Sequence, residues 1–266
     1  MKARILWSAR TQSGYALRLI AYAPGTRQLP HAHDRDSVTL VLCGDLVEGS
    51  ERGVERGAAL SVVAKPAGVE HENWFGPAGA HTLQVELPRG DRGFTTMPDV
   101  RCRWEHAGPA CRSLLRLLLL ADSTTPKASD AVTDELVRGA LAGLPLMSLR
   151  SAPAPRWLVE ARKAIEREST PVATLARRAG VHPVYLARRF RAQFGLSPAE
   201  YRERLRVQRA AALIEAGGPL ATVALDAGYY DQPHMNRQVR AATGLTPRAL
   251  RGISNLILRP ALPGIG

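Results

Sequence analysis

The sequence is poor in cysteine and in long hydrophobic runs. Three cysteines, Cys43, Cys102 and Cys111, stand in 266 residues, and none belongs to a Cys-x-x-Cys pair. This excludes a disulfide framework and a cysteine zinc site, and it predicts a reducing compartment. The longest aliphatic run, 114–121, is broken by Arg116 and is too short to span a bilayer. Because the first residues also lack the apolar core of a signal peptide, we expect a soluble, cytoplasmic protein with no membrane partner.

Acidic residues are also in short supply, since 36 Lys and Arg stand against 24 Asp and Glu. The imbalance is concentrated on the C-terminal side. Residues 156–253 carry 17 basic and 8 acidic side chains, whereas residues 1–155 carry 18 and 16. A basic segment of this kind is typical of proteins that bind a polyanion. Hydrophobic residues make up 45% of the chain, which is enough for packed cores and argues against disorder.

The apolar spacing changes along the chain. From about residue 5 to residue 87, short apolar runs alternate with Gly, Pro and Asp turns, which predicts a compact antiparallel β-barrel or sandwich. Spacings of three and four residues then predict two amphipathic helices, at 109–121 and 130–144, with Asp130 as N-cap of the second. Prolines interrupt the following stretch and mark a domain boundary near residue 152.

Beyond this boundary nearly all residues fit helices, and two short helices are predicted to meet at Gly180. Ala176 is small enough for close helix approach, Gly180 permits a sharp turn, and Leu186 and Phe190 anchor the second helix inward. This is the spacing of a helix-turn-helix motif. Since the anchors fix the inner face, the outer face follows from helical geometry. The predicted outward stripe consists of Val184, Ala187, Arg188 and Arg191.

The chain then repeats itself. RAQFGLSP begins at Arg191, and RAATGLTP begins at Arg240, 49 residues later. Ala224 and Gly228 follow their counterparts in the first motif by 48 residues, so the second turn carries one extra residue. Two copies of a helix-turn-helix are therefore predicted.

A long helix is expected between the two copies. Ser197 and Glu200 have capping-box spacing, with Pro198 at the first helical position. The helix runs for about 18 residues, a rod of roughly 27 Å, to a Gly-Gly-Pro stop. Major-groove faces recur about every 34 Å along one side of a duplex. One chain is therefore predicted to read two consecutive grooves.

The sequence AGYYDQPHMNRQVRAATGLTPRALR, residues 227–251, carries a Gly-aromatic-x-Asp-Gln-x-His-hydrophobic pattern. This pattern is the strongest part of a resemblance between residues 156–252 and the DNA-binding domain of AraC/XylS-type transcription regulators. Met235 and Val239 stand where that family often has Phe, which implies a less aromatic second core. The resemblance implies an all-α domain with two helix-turn-helix motifs that binds double-stranded DNA.

The resemblance also implies roles for single residues. The first recognition helix would run from about Pro183 to Phe194, with Arg188 contacting guanine, and Asp231 would cap the second. Asn236 and Arg237 would read adenine and guanine edges. Two alternatives remain open. Any one of these arginines is only solvated surface, or Gln232 and His234 are structural residues that bond the backbone at the start of the helix. The implied DNA-binding residues are His182, Val184, Ala187, Arg188, Arg191, Gln232, Pro233, Asn236, Arg237 and Arg240.

The N-terminal barrel region resembles a cupin, the usual sensory module of this family. The first cupin motif is matched by Gly25, His31, His33 and Gly44, and the second by Pro66, Gly68 and His71. The implied effector pocket is lined by His31, His33, His71 and Trp74. Strand alternation puts His31 and His33 on one face, with His71 opposite them.

Three imidazoles are also candidate ligands for a divalent metal. However, Ser37 stands where metal-binding cupins have an acidic ligand, and Asp36 would face the other way. We therefore expect no metal and no cofactor. Lining an effector pocket, or hydrogen bonding to turns, is the favoured role of these histidines.

The fold class predicted is α+β multidomain: a cupin-like β-barrel with two following helices, then an all-α domain with two helix-turn-helix motifs. Leucines crowded at 114–119 suggest a homodimer contact, although packing on the barrel explains them almost equally well. Cys102 and Cys111 lack a redox motif and are expected to be inert. The predicted segments are 1–98 (sensor), 99–146 (helical dimerisation segment), 147–156 (linker), 157–253 (DNA-binding domain) and 254–266 (tail).

The favoured function is a sequence-specific transcription regulator. By analogy it is an activator, with a small-molecule effector and RNA polymerase as partners. A metallo-cupin enzyme such as a dioxygenase, fused to the same DNA-binding domain, is the alternative, and Ser37 counts against it. A DNA-repair methyltransferase would need clustered reactive cysteines, which the chain lacks. We therefore predict that the protein is not an enzyme.

Overall fold

The computed structural model describes residues 3–50, 53–90, 103–122, 130–144, 154–167 and 170–257. The N-terminal part is a sheet and the remainder is helical. The strands are β1 (Ala3–Arg10), β2 (Ala16–Tyr22), β3 (Arg27–His31), β4 (Ser37–Ser50), β5 (Gly53–Gly57), β6 (Ser61–Lys65), β7 (His71–Glu86) and β8 (Arg103–His106).

The sheet is antiparallel throughout, in the order β1-β2-β7-β4-β6-β8, with β3 paired to β7 and β5 paired to β4. The long strands β4 and β7 carry register shifts, which let them pair with different neighbours along their length. Gly44 lies at these shifts with a φ of 75°, and a Cβ atom there would stand 1.9 Å from the carbonyl oxygen of Gly79. Only glycine fits such a close approach.

Two helices follow the sheet, α1 (Pro109–Asp122) and α2 (Asp130–Gly143). α2 begins at Asp130, whose carboxylate accepts a hydrogen bond from the backbone N–H of Gln12 at 3.1 Å. Strand residues alternate between two buried faces. One face, including Leu40 and Leu83, joins α1 in the main core, while the other forms a smaller core around Phe75.

The crowded leucines of α1 are accounted for within a single chain. Leu114, Leu115, Leu117 and Leu118 are each at most 3% exposed and belong to the main core. The observation that suggested a dimer contact is therefore explained by packing inside the chain.

The C-terminal part contains seven helices among the described residues, and the contacts divide the chain into two compact units. One unit comprises residues 145–206 and the other residues 1–144 together with 207–266. The helices are α3 (Arg156–Arg167), α4 (Val172–Arg178), α5 (Pro183–Phe194), α6 (Pro198–Glu215), α7 (Leu220–Asp226), α8 (Gln232–Thr243) and α9 (Pro247–Ile257).

The predicted fold class is confirmed, with one addition. The strand β8 lies inside the segment 99–146, which was predicted to be helical. Most of the predicted linker, 147–156, and Cys102 lie outside the described residues. In the part of the chain that the structure describes, no helix is both long and apolar enough to cross a membrane.

Candidate nucleic-acid interface and sensor site

The first helix-turn-helix is formed by α4 and α5. At its turn, the N–H groups of Ala179, Gly180 and Val181 donate to the carbonyls of Leu175, Arg177 and Ala176 at 3.0–3.1 Å. Gly180 has a φ of 66°, the left-handed conformation that closes the helix end. The turn therefore satisfies the last carbonyls of α4 and redirects the chain within four residues, 179–182.

The second helix-turn-helix, α7 and α8, repeats this geometry. Ala227, Gly228 and Tyr229 donate to the carbonyls of Val223, Leu225 and Ala224, each at 2.9 Å. These are the same three bonds moved by 48 residues. The turn holds five residues, 227–231, which confirms the single insertion predicted from the sequence.

Each recognition helix has a side-chain N-cap. The carboxylate of Asp231 accepts from the backbone N–H of His234 at 2.7 Å, as predicted. In the first motif the ring Nδ1 of His182 accepts from Val184 N–H at 3.3 Å. His182 was predicted to contact DNA, whereas here its ring Nδ1 is occupied by the cap.

The inner face of each recognition helix is anchored as predicted. Leu186 and Phe190 of α5, and Met235 and Val239 of α8, are all fully buried. Because these positions lie one turn apart, the helix rotation is fixed and the opposite stripe must face outward.

The outward stripe of α5 matches the prediction closely. Val184 is 60% exposed, Arg188 and Arg191 are exposed, and Ala187 is half-buried. Exposed arginines near the start and middle of such a helix can reach base edges and phosphates. Tyr185, 50% exposed and stacked near Trp157 with ring centroids 6.1 Å apart, lies beside the stripe and was not predicted.

Arg191 has a second role that the sequence analysis missed. Its guanidinium lies 2.8 Å from the carboxylate of Glu200, the carboxylate that accepts Ser197 N–H at 2.7 Å in the capping box. Ser197 Oγ accepts Glu200 N–H at 3.3 Å, so the predicted box is complete. The backbone bond from Ser197, with help from Arg191, lowers the pKa of Glu200.

The outward stripe of α8 is less uniform. Pro233, Arg237 and Arg240 are exposed, whereas Gln232 and Asn236 are half-buried. The Asn236 Oδ1 atom is enclosed and has no hydrogen-bond partner among the described residues. Bidentate pairing with adenine needs both amide atoms, so Asn236 must rotate before it can read a base in the way predicted.

Tyr230 was also missed. It lies in the turn before α8 and is 89% exposed, beside the Asp231 cap. The double tyrosine was visible in the sequence, but only the fold shows that Tyr229 is buried and Tyr230 is not.

Three histidines converge at one end of the sheet. His31 and His71 are register partners on β3 and β7, with ring centroids 4.5 Å apart, and His33 lies 5.0 and 5.1 Å from them. Their ring nitrogens lie within 4.8 Å of one another. The structure thus brings together three residues predicted for the sensor site.

Hydrogen bonds fix the tautomers of two of these rings. His31 Nδ1 lies 2.8 Å from the Leu29 carbonyl, and His71 Nδ1 lies 3.0 Å from the Val69 carbonyl. A carbonyl only accepts, so each Nδ1 carries a proton, and the Nε2 of a neutral ring keeps a lone pair. The His71 Nε2 atom is buried and has no hydrogen-bond partner among the described residues.

Burial disfavours the protonated form of His33 and His71. Desolvation, followed by the charge of Lys65, lowers the pKa of His71 to about 4, and desolvation together with His31 lowers the pKa of His33. Neutral imidazoles with free Nε2 lone pairs can accept hydrogen bonds or coordinate a metal.

A buried ion pair lies beside the cluster and was not predicted. Lys65 Nζ lies 2.5 Å from a Glu48 carboxylate oxygen and donates to Asn73 Oδ1 at 3.0 Å. The Lys65 and Glu48 side chains are only 5% and 2% exposed. A buried ion pair is stable only when its charged groups also have hydrogen-bond partners. The Lys65–Glu48 pair therefore makes this part of the interior polar.

Trp74 does not join the histidines. It stands three residues after His71 on β7, and an odd spacing along a strand points to the opposite face. There its ring lies under the Arg27 guanidinium, 5.4 Å from the centroid, and Arg27 pairs with Glu72 at 3.1 Å. The structure therefore corrects the predicted pocket by removing Trp74.

A family profile described as a helix-turn-helix domain matches residues 175–252. Among solved structures, the chain is similar to the C-terminal domain of AraT, a response regulator from Geobacillus stearothermophilus: 23% identity, 38% of this chain and 88% of that chain covered, TM-score 0.36. It is similar to a cupin superfamily protein from Desulfitobacterium hafniense: 21% identity, 32% and 75% covered, TM-score 0.28. It is also similar to an oxalate decarboxylase variant from Bacillus subtilis: 18% identity, 32% and 25% covered, TM-score 0.28. TM-scores this low carry no conclusion, and no curated protein matches the chain.

The profile and the geometry agree on the same part of the chain. The profile matches residues 175–252, and in the structure this range holds two copies of a helix, a turn and a second helix. The second copy carries the sequence Gly-Tyr-Tyr-Asp-Gln-Pro-His. Residues 175–252 form a helix-turn-helix domain.

Proposed function

We propose that this protein is a transcription regulator that binds double-stranded DNA in a sequence-specific way and responds to a small ligand at the histidine cluster. The observation that supports it most is the equivalence of the two recognition helices. Arg188 and Arg237 occupy the same position, 49 residues apart, and both are exposed opposite buried anchors. The same holds for Arg191 and Arg240.

In this proposal the two helices insert into major grooves. Arg188 and Arg237 each offer a planar fork to the O6 and N7 acceptors of guanine, and Arg191 and Arg240 contact phosphates. Val184 and Pro233 make apolar contacts at the groove floor. His182, through its cap, positions the first turn of α5.

The test is a binding titration of the full chain on duplexes selected from random DNA. Arg188→Ala and Arg237→Ala should each weaken cognate binding by roughly 1–3 kcal/mol and relax the preference at one base position. Arg56→Ala, an exposed arginine on β5, is the matched control and should change neither. Equal losses on cognate and random duplexes would contradict base reading by these residues.

The ligand site is proposed at His31, His33 and His71, next to the Lys65–Glu48 pair. In His31 and His71 the Nδ1 proton is bound to a backbone carbonyl. The Nε2 atoms of these rings are then the acceptors available to a shared ligand. A small molecule with hydroxyl or amide donors fits this chemistry.

A divalent transition metal is the second candidate ligand, because the same residues fit it. Metal-binding histidines commonly donate their other N–H to a backbone carbonyl, as His31 and His71 do. His31, His33 and His71 would hold the ion through Nε2 or Nδ1, and a bound ion would supply a fixed positive charge in this part of the sheet.

Metal analysis distinguishes the two ligands. The purified protein should retain about one divalent ion per chain if the metal is the ligand, and His71→Ala should lose it while His81→Ala, outside the cluster, keeps it. If a chelated and a Zn²⁺- or Ni²⁺-supplemented sample have the same Tm, the metal is excluded and the organic effector remains.

Activation, contact with RNA polymerase, homodimer formation and a cytoplasmic location are proposed with this function. So is the absence of enzymatic activity, which rests on the family resemblance and on Ser37 at the acidic ligand position. The dimer draws less support from the α1 leucines, because Leu114, Leu115, Leu117 and Leu118 are buried within one chain. Sedimentation of the full chain with and without DNA measures the dimer directly.

A further inference from the structure

The second helix-turn-helix belongs to the same compact unit as the sensor sheet. Their apolar side chains form one continuous core. Leu60 of the sheet and Leu115 of α1 cluster with Val207 and Ala211 of α6 and with Ile253 of α9. The sensor therefore holds this part of the DNA-binding domain by buried surface and not merely through the chain connection.

Gln208 adds a polar contact at this interface. Its side-chain amide, buried on α6, donates to the Ala59 carbonyl at 3.1 Å and to Ser61 Oγ at 2.8 Å. Ser61 Oγ lies in turn 2.9 Å from His106 Nδ1 on β8. A buried amide with both protons donated fixes the position of α6 on the sheet.

Arg112 makes the contact with the recognition helix itself. Its guanidinium, on α1, donates to the Ala241 carbonyl in the last turn of α8. A Cβ on Gly244, the C-cap of α8, would stand only 3.1 Å from Arg112 Cγ. The last carbonyls of a helix lack partners within it and carry partial negative charge, so a guanidinium is well placed there.

A third contact joins the end of α6 to β4. Glu215 lines a small cavity with Leu42 of β4, and the neighbouring Cys43 thiol lies 3.1 Å from His81 Nδ1. Burial, and then the Glu215 charge, raises the pKa of Cys43 to about 12, so the thiol stays protonated as a donor.

These contacts leave the outward stripe of α8 exposed. Ala241 lies at the C-terminal end of the helix, and Pro233, Arg237 and Arg240 remain exposed. The docked arrangement is thus compatible with insertion of the N-terminal half of α8 into a groove, the half that contacts bases.

We propose that Arg112, Gln208 and Glu215 form a clasp that fixes the second helix-turn-helix to the sensor, so that the two move as one rigid body. A change in the sensor then reaches DNA through α8 rather than through α5. The transmission of a sensor change to DNA rests on the proposed DNA-binding function, but the clasp itself is testable without DNA.

The first experiment is hydrogen–deuterium exchange on the full chain without DNA. Arg112→Ala combined with Gln208→Ala should speed exchange in α8 by at least about tenfold, because a held segment opens more often once its contacts are lost. Exchange in β7 should stay unchanged, which verifies that the sheet is folded. Arg116→Ala, one turn further along α1 and equally exposed, is the matched control and should leave α8 as in the parent protein.

The second experiment is a pair of double-mutant cycles in DNA binding. Arg112→Ala should weaken binding by several-fold and be non-additive with Arg237→Ala, while adding independently to Arg188→Ala. Tighter DNA binding by Arg112→Ala would mean that the contact is inhibitory. Non-additivity between Arg112→Ala and Arg188→Ala would mean that the signal takes another route. Either result overturns the proposal. Unchanged α8 exchange overturns it too. If the parent protein binds no DNA, the proposed function fails, and exchange still decides whether the clasp exists.

Discussion

Gly180 and Gly228 make the same hydrogen bond in the two turns. Each donates its N–H to the carbonyl three residues earlier, Arg177 at 3.1 Å and Leu225 at 2.9 Å, with φ values of 66° and 86°. The duplication seen in the sequence is therefore a duplication of backbone conformation.

Gly180→Ala should destabilise the first motif by about 1–2 kcal/mol, the usual penalty of a left-handed residue with a Cβ. No described heavy atom lies within 4 Å of the added Cβ, so the penalty is conformational and not steric. Urea unfolding of the full chain measures it. Gly252→Ala, within α9 and also without a close described neighbour, should instead stabilise by up to about 1 kcal/mol. Equal effects of the two substitutions would contradict this explanation.

Asp231→Ala should lower the stability of α8 by about 1 kcal/mol, because it leaves the His234 N–H without its 2.7 Å acceptor. His182→Ala should have a smaller effect, since its cap bond is longer, at 3.3 Å. Thermal unfolding of both variants checks the order, and the reverse order would show that cap distance does not set the contribution.

Glu200 should make the stability of its unit depend on pH. Its pKa in the folded protein is lowered, chiefly by the Ser197 backbone bond, so its stabilisation is complete above the ordinary value near 4.5 and is lost as pH falls through the folded value. Glu200→Gln should flatten the unfolding profile below about pH 5. Glu160→Gln, whose carboxylate accepts from Lys163 rather than a backbone amide, is the control and should retain the slope.

His71 should change stability in the same direction as Glu200, with stability increasing as pH rises. Its folded pKa of about 4 lies below the ordinary 6.5, so between these values the unfolded state binds a proton that the folded state does not. Stability should rise with pH across that interval and level off above it. Unfolding in chelator at several pH values measures the slope, and His71→Asn should reduce it. A slope that persists in that variant would assign the effect to other groups.

Arg191→Ala should separate two roles. Its pair with Glu200 is solvent-exposed, so stability should change by less than about 1 kcal/mol. If Arg191 neutralises a phosphate, the slope of log affinity against log salt should fall by about one. An unchanged salt slope would show that Arg191 serves only the capping box.

The sequence predicted what local spacing controls. The anchors Leu186 and Phe190, the Ser197 cap and the single extra residue of the second turn follow from helical period, capping preference and glycine conformation, and the family resemblance implied the Asp231 cap. All of these act within a few residues along the chain. The strand β8 carries only four residues and no clear alternation, and it was missed.

Contacts between distant parts of the chain could not be predicted in this way. Trp74 could have been excluded from the pocket by its odd spacing after His71 once both were assigned to one strand, but the pairing of Lys65 with Glu48 required two strands to meet. Asn236 was placed outward by its spacing, yet packing encloses its Oδ1 atom.

The sequence by itself determined the duplicated motif and the identity of its outward arginines, because helix periodicity converts order along the chain into faces. Only the tertiary structure decided that His31, His33 and His71 converge and that Arg112 reaches the end of α8. The strands and helices that these relations bring together carry residues 38 to 129 positions apart, and long-range packing, not local conformational preference, sets them.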